Sequence, residues 1–329
     1  MKELILAGDI GATKTNLGLF LKASDHLTQK AFVTFPSCAR VELVERTRAF
    51  LKREGVLGQV PSACFGVAGP LCRGRVVATN LGLELDESGL CAELKIAVVR
   101  LVNDLYATAV ALAWLPADQF AVLQAGGPGA GEAVSAVLAP GTGLGMAFLV
   151  AAGPALPLIV ASEGGHVDFA PRDEAEIELW RYLRARYGRV SREHLLSGPG
   201  LLNIYQWCRE TSNPAVISPV AATAAAAVVS SAEHGDPAAR QALTLFVSLL
   251  GAAAGDLALT GLAGGGVYLA GGIPAKIINS LRQDGFLRAF QAKGRMAAWL
   301  SRVPVRVVLD EQAALLGAAR LAALGGKAA

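Results

Sequence analysis

The stretch VRLVND, residues 99–104, delivers an Asn-Asp pair from an apolar, strand-like run directly onto the start of a helix. Apolar residues recur at helical spacing from Leu105 to Leu115, which predicts a helix with Asp104 in its first turn. A carboxylate at this junction has a fixed position and a partly solvated head group. Asp104 is therefore our candidate for a catalytic base, and the alternative is that Asn103 or Asp104 only caps the helix.

The composition is typical of a soluble globular protein. The 329 residues are 53% hydrophobic and 17% charged, and the formal net charge is only +3. This balance gives no electrostatic bias toward nucleic acid or a membrane surface, so we expect neither as a partner. The length favours two lobes over a single core.

No membrane span is predicted from the sequence. Prolines and glycines interrupt the uncharged run from Ala133 to Ser162, and the run from Gln241 to Gly255 is rich in Gly and Ala, which favours a buried helix. The first residues do not have a signal-peptide layout, and the five cysteines form no CxxC pair. A cytoplasmic location with free thiols is the simplest interpretation.

A connector rich in Gly and Thr, Gly8–Asn16, joins the first two predicted strands. Its glycines let backbone N–H groups approach an anion, Thr13 and Lys14 add donors, and Asp9 offers a carboxylate to a hydrated magnesium ion. These features predict a phosphate site. The spacing is not that of a P-loop, and the alternative is an ordinary glycine hairpin turn.

A second Gly/Thr turn, Pro140–Gly143, repeats this arrangement between predicted strands at Val134–Ala139 and Leu144–Val150. The two turns are about 130 residues apart, and each begins a series of strands. This pattern indicates a duplicated lobe with a phosphate bound between the copies.

Several polar loop residues are weaker candidates for ligand contacts. Glu163, His166 and Asp168 surround a Gly-Gly pair, and their side chains can accept hydrogen bonds from hydroxyl groups. The alternative is that they are loop residues bonded to the backbone. Asn80 follows a short strand, where an Asn is usually a turn former, and Glu193 lies in a polar turn, where its composition alone indicates an exposed loop residue.

A third glycine turn, Gly271-Gly272, ends a predicted strand before a helix. A backbone without side chains can admit a flat purine ring or a ribose there. Close packing of the helix on the strand is the alternative reason for these glycines.

In combination, these stretches resemble the bacterial ATP-dependent glucokinases, members of the hexokinase, Hsp70 and actin-like ATPase superfamily, over nearly the whole chain. The EGGH and LSGPG stretches in this order are far more specific than any glycine turn. The stretches that carry the resemblance are Gly8–Thr13 for the first phosphate motif, Asn103-Asp104 for the catalytic segment, Gly141–Gly143 for the second phosphate motif, Glu163–His166, Leu196–Gly200 preceded by Glu193, and Ala270–Gly272 for adenosine.

The resemblance implies a two-lobed α/β fold of the actin-like ATPase (ribonuclease H-like) type, in which helices flank duplicated mixed β-sheets. The smaller lobe would comprise residues 1–109 and 312–329, and the larger lobe residues 110–311. The implied reaction transfers the γ-phosphoryl group of ATP to the 6-hydroxyl of glucose, with Mg²⁺ as cofactor and Asp104 as general base. The oligomeric state stays open, a homodimer included.

The resemblance also assigns roles to single residues. Asp9 is the expected partner of Mg²⁺, through water. Contacts with the sugar are expected from Asn80, Asn103, Asp104, Glu163, His166 and Glu193, and contacts with the nucleotide from Gly8, Asp9, Gly11, Ala12, Thr13, Lys14, Gly141, Thr142, Gly143, Gly271 and Gly272.

Two departures from related families bear on these expectations. Ala12 occupies a position where the glucokinases usually have Gly, which makes the first phosphate turn tighter or weaker unless the position accepts a Cβ. The related repressor, kinase and ORF group of sugar kinases starts in a similar way but has a cysteine-rich zinc loop that this sequence lacks. The alternatives are a kinase for another hexose or an N-acetylhexosamine and, in another class, an actin-like ATPase without a sugar substrate.

Overall fold

The structure is a computed structural model that describes residues 2–24, 26–69, 71–78, 83–131, 133–151, 157–212 and 225–324. Its strands are β1 (Lys2–Ile10), β2 (Lys14–Ala23), β3 (His26–Pro36), β4 (Ser62–Val67), β5 (Leu71–Cys72), β6 (Arg75–Ala78), β7 (Leu83–Asp86), β8 (Val98–Asn103), β9 (Phe120–Gln124), β10 (Val134–Pro140), β11 (Leu144–Val150), β12 (Leu158–Ser162), β13 (Gly266–Leu269) and β14 (Val305–Val308).

The helices are α1 (Arg40–Arg53), α2 (Glu87–Leu94), α3 (Asp104–Ala111), α4 (Glu174–Tyr187), α5 (Gly198–Ser212), α6 (Ala225–Glu233), α7 (Pro237–Gly261), α8 (Ile278–Leu281), α9 (Asp284–Gln291), α10 (Ala297–Leu300) and α11 (Ala313–Ala323). The chain divides into two units. The first contains Met1–Ala117, Pro154–Ile159 and Asp310–Ala329, and the second contains Asp118–Gly153 and Val160–Leu309.

The first unit is built on a five-stranded sheet in the order β3-β2-β1-β4-β8. β1 and β2 form an antiparallel hairpin, β3 continues it, and β1, β4 and β8 run parallel. In this register Ile10 is opposite Val67, and Val67 is opposite Asn103. The carboxyl ends of the three parallel strands therefore share one edge of the sheet, where Asp9 and Asp104 are found.

Helix α3 begins with Asp104 at that edge, and its position is set by close packing on α11. A Cβ at Gly317 of α11 would lie only 1.7 Å from the carbonyl oxygen of Ala107. The helix ends at Ala111 rather than at Leu115 as predicted. Pro116 explains part of the difference, because a proline disfavours helical backbone in the residue before it.

The second unit repeats this sheet topology. Its sheet has the order β12-β11-β10-β13-β14-β9, in which β10 and β11 form an antiparallel hairpin and β10, β13 and β14 run parallel. β9 joins β14 as an antiparallel edge strand. The hairpin followed by parallel strands in both units confirms the predicted duplication of mixed β-sheets flanked by helices.

Helix α7 is the central helix of the second unit. It is long and apolar enough to cross a membrane by length and composition alone, but 72% of its apolar 18-residue stretch is buried inside the protein. Phe246, Leu250 and Ala254 are fully buried in the core. The predicted buried helix at Gln241–Gly255 is thus confirmed.

Candidate active site

Asn103 and Asp104 have different roles at the junction of β8 and α3. Asn103 is the N-cap, and its Oδ1 accepts hydrogen bonds from the N–H groups of Leu105 and Tyr106 at 3.0 and 3.2 Å. The Asp104 Oδ1 accepts a bond from the Leu105 N–H at 2.9 Å. In the part of the chain that the structure describes, its Oδ2 accepts no hydrogen bond from another residue. Asp104 therefore keeps one carboxylate oxygen for a ligand, while the capping alternative applies to Asn103.

Burial makes Asp104 a better proton acceptor. It raises the pKa of the carboxyl group, and the N–H of Leu105 opposes this shift by stabilising the charged form. A base is most effective when its pKa approaches the working pH. The environment thus moves Asp104 in the direction that general-base catalysis needs.

Asp9 is the second carboxylate at this edge and is held by a chain of cross-strand hydrogen bonds. Asn16 donates from Nδ2 to the Asp9 Oδ2 at 3.1 Å, and the Thr34 hydroxyl donates to the Asn16 Oδ1 at 2.8 Å. Asn16 is only 2% exposed. The Asp9 Oδ1 has no partner among the described residues, so this oxygen is free to face a cation or its water.

The charge of Asp9 is disfavoured in the absence of a cation. Burial raises the pKa of Asp9 from 3.8 to about 6, and the nearby Asp104 carboxylate adds to the increase. Asn16 and Lys14 act in the opposite direction. A bound divalent cation would relieve this penalty, which fits a magnesium partner.

The loop of the first hairpin presents backbone donors. Ser37 fixes the loop, because its hydroxyl donates to the Gly11 carbonyl at 2.6 Å and its N–H donates to the Thr13 carbonyl at 3.0 Å. Among the described residues, the N–H groups of Ala12 and Thr13 have no backbone acceptor. Lys14 is exposed, and its Nζ lies 3.7 Å from Glu311.

The structure explains why residue 8 is Gly and why residue 12 can be Ala. A Cβ at Gly8 would lie 2.2 Å from Cδ1 of Phe65, so packing of the sheet alone requires this glycine. Ala12 does not have a positive φ, so its methyl group introduces no backbone strain. The departure from Gly at this position is compatible with the turn.

The second hairpin is fixed by residues far along the chain. The Leu144 N–H donates to the Glu193 Oε2 at 2.8 Å, and the Gly198 N–H donates to the Gly141 carbonyl at 2.8 Å. A Cβ at Gly143 would lie 2.5 Å from the same Glu193 oxygen. Glu193, predicted as a sugar contact, thus supports the second hairpin with one oxygen. Its Oε1 has no hydrogen-bond partner in the described ranges and can accept a hydrogen bond from a hydroxyl group.

The EGGH loop lies against the start of β11. A Cβ at Gly165 would be 2.1 Å from the Leu144 carbonyl oxygen, which explains the glycine. Glu163 and His166 are 84% and 60% exposed, and their only mutual contact is a 3.8 Å approach of Nε2 to Oε2. Neither side chain is hydrogen-bonded to backbone within the described residues, so both are accessible to a ligand.

The third glycine turn also lies beside the second hairpin. Gly271 has a φ of +83°, and a Cβ there would lie 2.8 Å from the Pro140 carbonyl oxygen. Gly272 is exposed with open space around it. Close packing therefore accounts for Gly271, whereas Gly272 leaves room for a ligand.

The predicted site residues thus lie in two groups, one in each unit. In the first unit, Asp9, Asn103, Asp104 and the loop from Gly11 to Lys14 lie at the carboxyl edge of the sheet. In the second unit, the hairpin, the EGGH loop, Glu193 and the Gly271 turn are neighbours. Asn80 lies outside the described residues.

The sequence interpretation missed the Asn16 and Thr34 side chains. A signal for them exists, because the hairpin register places Asn16 opposite Asp9 and Thr34 opposite Asn16. A buried amide opposite an acidic residue on the neighbouring strand is a candidate for holding that residue.

Comparison with known proteins places this fold among the sugar kinases. A ROK-family glucokinase from Streptomyces griseus, in complex with glucose and AMPPNP, shares the fold with a TM-score of 0.69 at 22% identity, covering 98% of this chain and all of that one. The glucokinase of an Antarctic psychrotroph is closer, with a TM-score of 0.83 at 31% identity over 98% of this chain and 99% of that one.

Sequence comparison identifies the family. The glucokinase family matches residues 6–324. A glucokinase from a Nostoc species is 38% identical over 344 aligned residues, which cover 97% of this chain and 99% of the relative. The chain belongs to the glucokinase family, and the predicted class of enzyme, an ATP-dependent hexose kinase, is confirmed.

Proposed function

We propose that this protein transfers the γ-phosphoryl group of ATP to the 6-hydroxyl of glucose, with Asp104 as the general base. The observation that carries the proposal is the Asp104 carboxylate at the β8–α3 junction, with one oxygen unbonded in the described structure and a pKa raised by burial. In this reaction the sugar O6 forms a bond with the γ-phosphorus, the bond from that phosphorus to ADP breaks, and Asp104 accepts the proton of the hydroxyl group.

Asp9 fits the role of magnesium partner. The described residues contain no group of three or more His, Cys, Asp and Glu that could hold a metal. A single carboxylate is sufficient for Mg²⁺ when substrate phosphates and water complete the octahedron. When bound, the ion supplies positive charge that neutralises the phosphate oxygens. Asn16 keeps the Asp9 carboxylate oriented for this role.

Backbone donors and polar side chains would then position the two substrates. The N–H groups of Ala12 and Thr13 suit phosphate oxygens in the first unit, and the Thr142 turn is the matching element of the second. Glu163, His166 and the free oxygen of Glu193 suit sugar hydroxyl groups, and sites that hydrogen-bond a hydroxyl strongly reject analogues without it. We assign residues 1–109 and 312–329 to the smaller lobe and residues 110–311 to the larger one.

We further infer a cytoplasmic enzyme that needs neither nucleic acid nor a membrane. The low net charge and the burial of helix α7 support this inference. A homodimer remains compatible with all of these assignments.

A coupled assay of ADP release with a panel of sugars and phosphoryl donors tests the substrate assignment. Glucose with ATP should give the highest kcat/KM. Faster turnover of mannose or an N-acetylhexosamine would favour another hexose kinase. ATP hydrolysis without any sugar dependence would favour an actin-like ATPase instead.

Asp104→Asn tests the role of the base. General-base loss should reduce kcat by about 10² to 10⁴, while glucose binding measured by calorimetry largely survives. Asp118→Asn is the matched control, because Asp118 is exposed in a short 3-10 turn. A variant at Asp104 with near-normal kcat would remove this residue from the mechanism.

A further inference from the structure

A cavity in the second unit lies directly behind the turn that carries Glu193. It is lined by Phe169–Arg172, by Arg192 with Leu195 and Leu196, by one side of α7, and by Lys293. Its volume is about 200 Å³. Pockets for drug-sized ligands measure roughly 300 to 1,000 Å³, so this cavity suits a molecule of a few heavy atoms and not a nucleotide.

Cationic side chains outnumber carboxylates around this cavity. Among the described residues that line it, Asp256 is the one acidic residue, and it is shared by two cations: Lys293 Nζ lies 2.5 Å from Oδ1, and Arg192 Nη2 lies 3.3 Å from Oδ2. The third cation, Arg172, is already paired with Glu176, which is 1% exposed. Arg192, Lys293 and Asp256 therefore leave one positive charge in excess.

Arg192 retains unused hydrogen-bonding capacity. Its guanidinium group has five N–H donors, yet its side chain makes a single bond, the long one to Asp256, within the described ranges. The Arg192 and Lys293 side chains are only 20% and 14% exposed. A poorly hydrated guanidinium group with free donors favours a carboxylate or phosphate bound by two parallel hydrogen bonds.

The remaining wall of the cavity is apolar. Leu195 and Leu249 are 1% and 3% exposed, and Ala253 lies beside them. A fully hydrated inorganic ion gains little from such a wall, whereas a short carbon skeleton buries apolar surface against it. The lining thus combines an anion-binding end with an apolar end.

We propose that this cavity binds a small organic anion, with a carboxylate or phosphate group held by Arg192 and Lys293 and a short carbon body against Leu195 and Leu249. The site is separate from the glycine hairpins and from the EGGH loop. The proposal goes beyond glucose phosphorylation and does not depend on it.

Calorimetric titration tests the proposal with three probes: pyruvate, inorganic phosphate and 3-phosphoglycerate. Saturating glucose and a non-hydrolysable ATP analogue are present throughout, so that the proposed substrate sites are occupied. Saturable one-to-one binding of at least one probe is expected. Pyruvate tests the carboxylate alone, inorganic phosphate tests the phosphate alone, and 3-phosphoglycerate carries both groups.

Two variants should change the affinity in opposite directions. Lys293→Met should weaken the bound probe about tenfold or more, because it removes the excess charge. Asp256→Asn should tighten binding several-fold, because it removes the carboxylate that competes for Arg192 and Lys293. Lys276→Met, at an exposed lysine, is the control and should have no effect.

Arg192→Lys provides a variant that keeps the charge. It should weaken the probe because Lys cannot form the paired hydrogen bonds of a guanidinium group. Absence of binding by all three probes at millimolar concentration would overturn the proposal. Equal affinity in the wild-type, Lys293→Met and Asp256→Asn proteins would also overturn it, since the probe would then bind elsewhere.

Discussion

Glu193→Ala should weaken both ATP and glucose, whereas Glu193→Gln should weaken mainly glucose. The Ala variant removes the acceptor that holds the Leu144 N–H at 2.8 Å, and Leu144 is buried. A hydrogen bond to a charged group contributes about 1.5 to 3 kcal/mol. If the hairpin must be ordered to bind phosphate, ATP affinity falls by about 10- to 150-fold. Gln keeps a carbonyl oxygen for Leu144 and should leave ATP within a few-fold of wild type.

Gly143→Ala provides an independent way to break the same bond. The new Cβ would lie 2.5 Å from the Glu193 Oε2 and 3.3 Å from its carboxyl carbon, so the carboxylate must move away. Gly143 does not have a positive φ, so backbone strain adds nothing. Once Ala replaces Glu193, the methyl group at 143 meets no carboxylate. The double variant should therefore be about as impaired as either single variant, and the two effects should not add.

Steady-state kinetics give the KM for ATP at saturating glucose, and urea unfolding gives the stability of each variant. Glu178→Ala is the matched control, because Glu178 is exposed on helix α4 and its side chain forms no hydrogen bond or ion pair within the described part of the chain. Two results would refute the link between the Glu193–Leu144 hydrogen bond and ATP binding. One is that the effects of Gly143→Ala and Glu193→Ala add, and the other is that Glu193→Gln weakens ATP as much as Glu193→Ala does.

Three further predictions concern the remaining site residues. Without Mg²⁺ and ATP, the folded state holds more protons than the unfolded state between pH 3.8 and about 6, so Asp9 makes stability fall as pH rises through this window. At about 1.4 kcal/mol per pH unit, the total decrease in the free energy of unfolding approaches about 3 kcal/mol. Asp9→Asn should abolish this decrease, as measured by urea unfolding at low and neutral pH. Equal pH dependence of the wild-type and Asp9→Asn proteins would contradict this. Asn16→Leu removes the donor that lowers the pKa of Asp9, so the acid limb of kcat/KM for MgATP should move to higher pH, an effect that a purely structural role would not produce. Glu163→Ala should weaken glucose about tenfold or more by calorimetry while an ATP analogue binds normally, and equal losses for both ligands would assign Glu163 to the fold; normal glucose binding by His166→Gln would remove His166 from the sugar site.

The backbone of the candidate site could be predicted from the sequence. Glycine-rich turns between two apolar runs are a local signal for a hairpin, and both predicted hairpins are present as β1–β2 and β10–β11. The position of Asp104 in the first helical turn is also confirmed. These features are local, since they depend on residues that are close in the chain.

The side-chain supports of the site could not be predicted in the same way. Glu193 reaches the N–H of a residue 49 positions earlier, and no local pattern encodes that contact. Asn16 is nearer to Asp9 in the chain, but its role depends on the register of the hairpin. A one-residue slip in that register would turn the Asn16 side chain to the other face of the sheet. The packing reasons for Gly8 and Gly165 likewise require knowledge of the neighbouring strand.

The two hairpins share a topology but differ in what stabilises them, and this difference has a functional consequence. Ser37, at the end of the neighbouring strand β3, holds the first loop, so its support belongs to the same sheet. The second hairpin is held by Glu193, whose other oxygen is free for a sugar hydroxyl. One carboxylate thus connects the proposed glucose contact with the proposed phosphate-binding hairpin of the second unit. A hydroxyl group bound to that carboxylate restricts its motion and favours the geometry that receives the Leu144 N–H. Glucose should therefore reduce the entropy lost when ATP orders this hairpin, and the first hairpin has no such connection among the described residues.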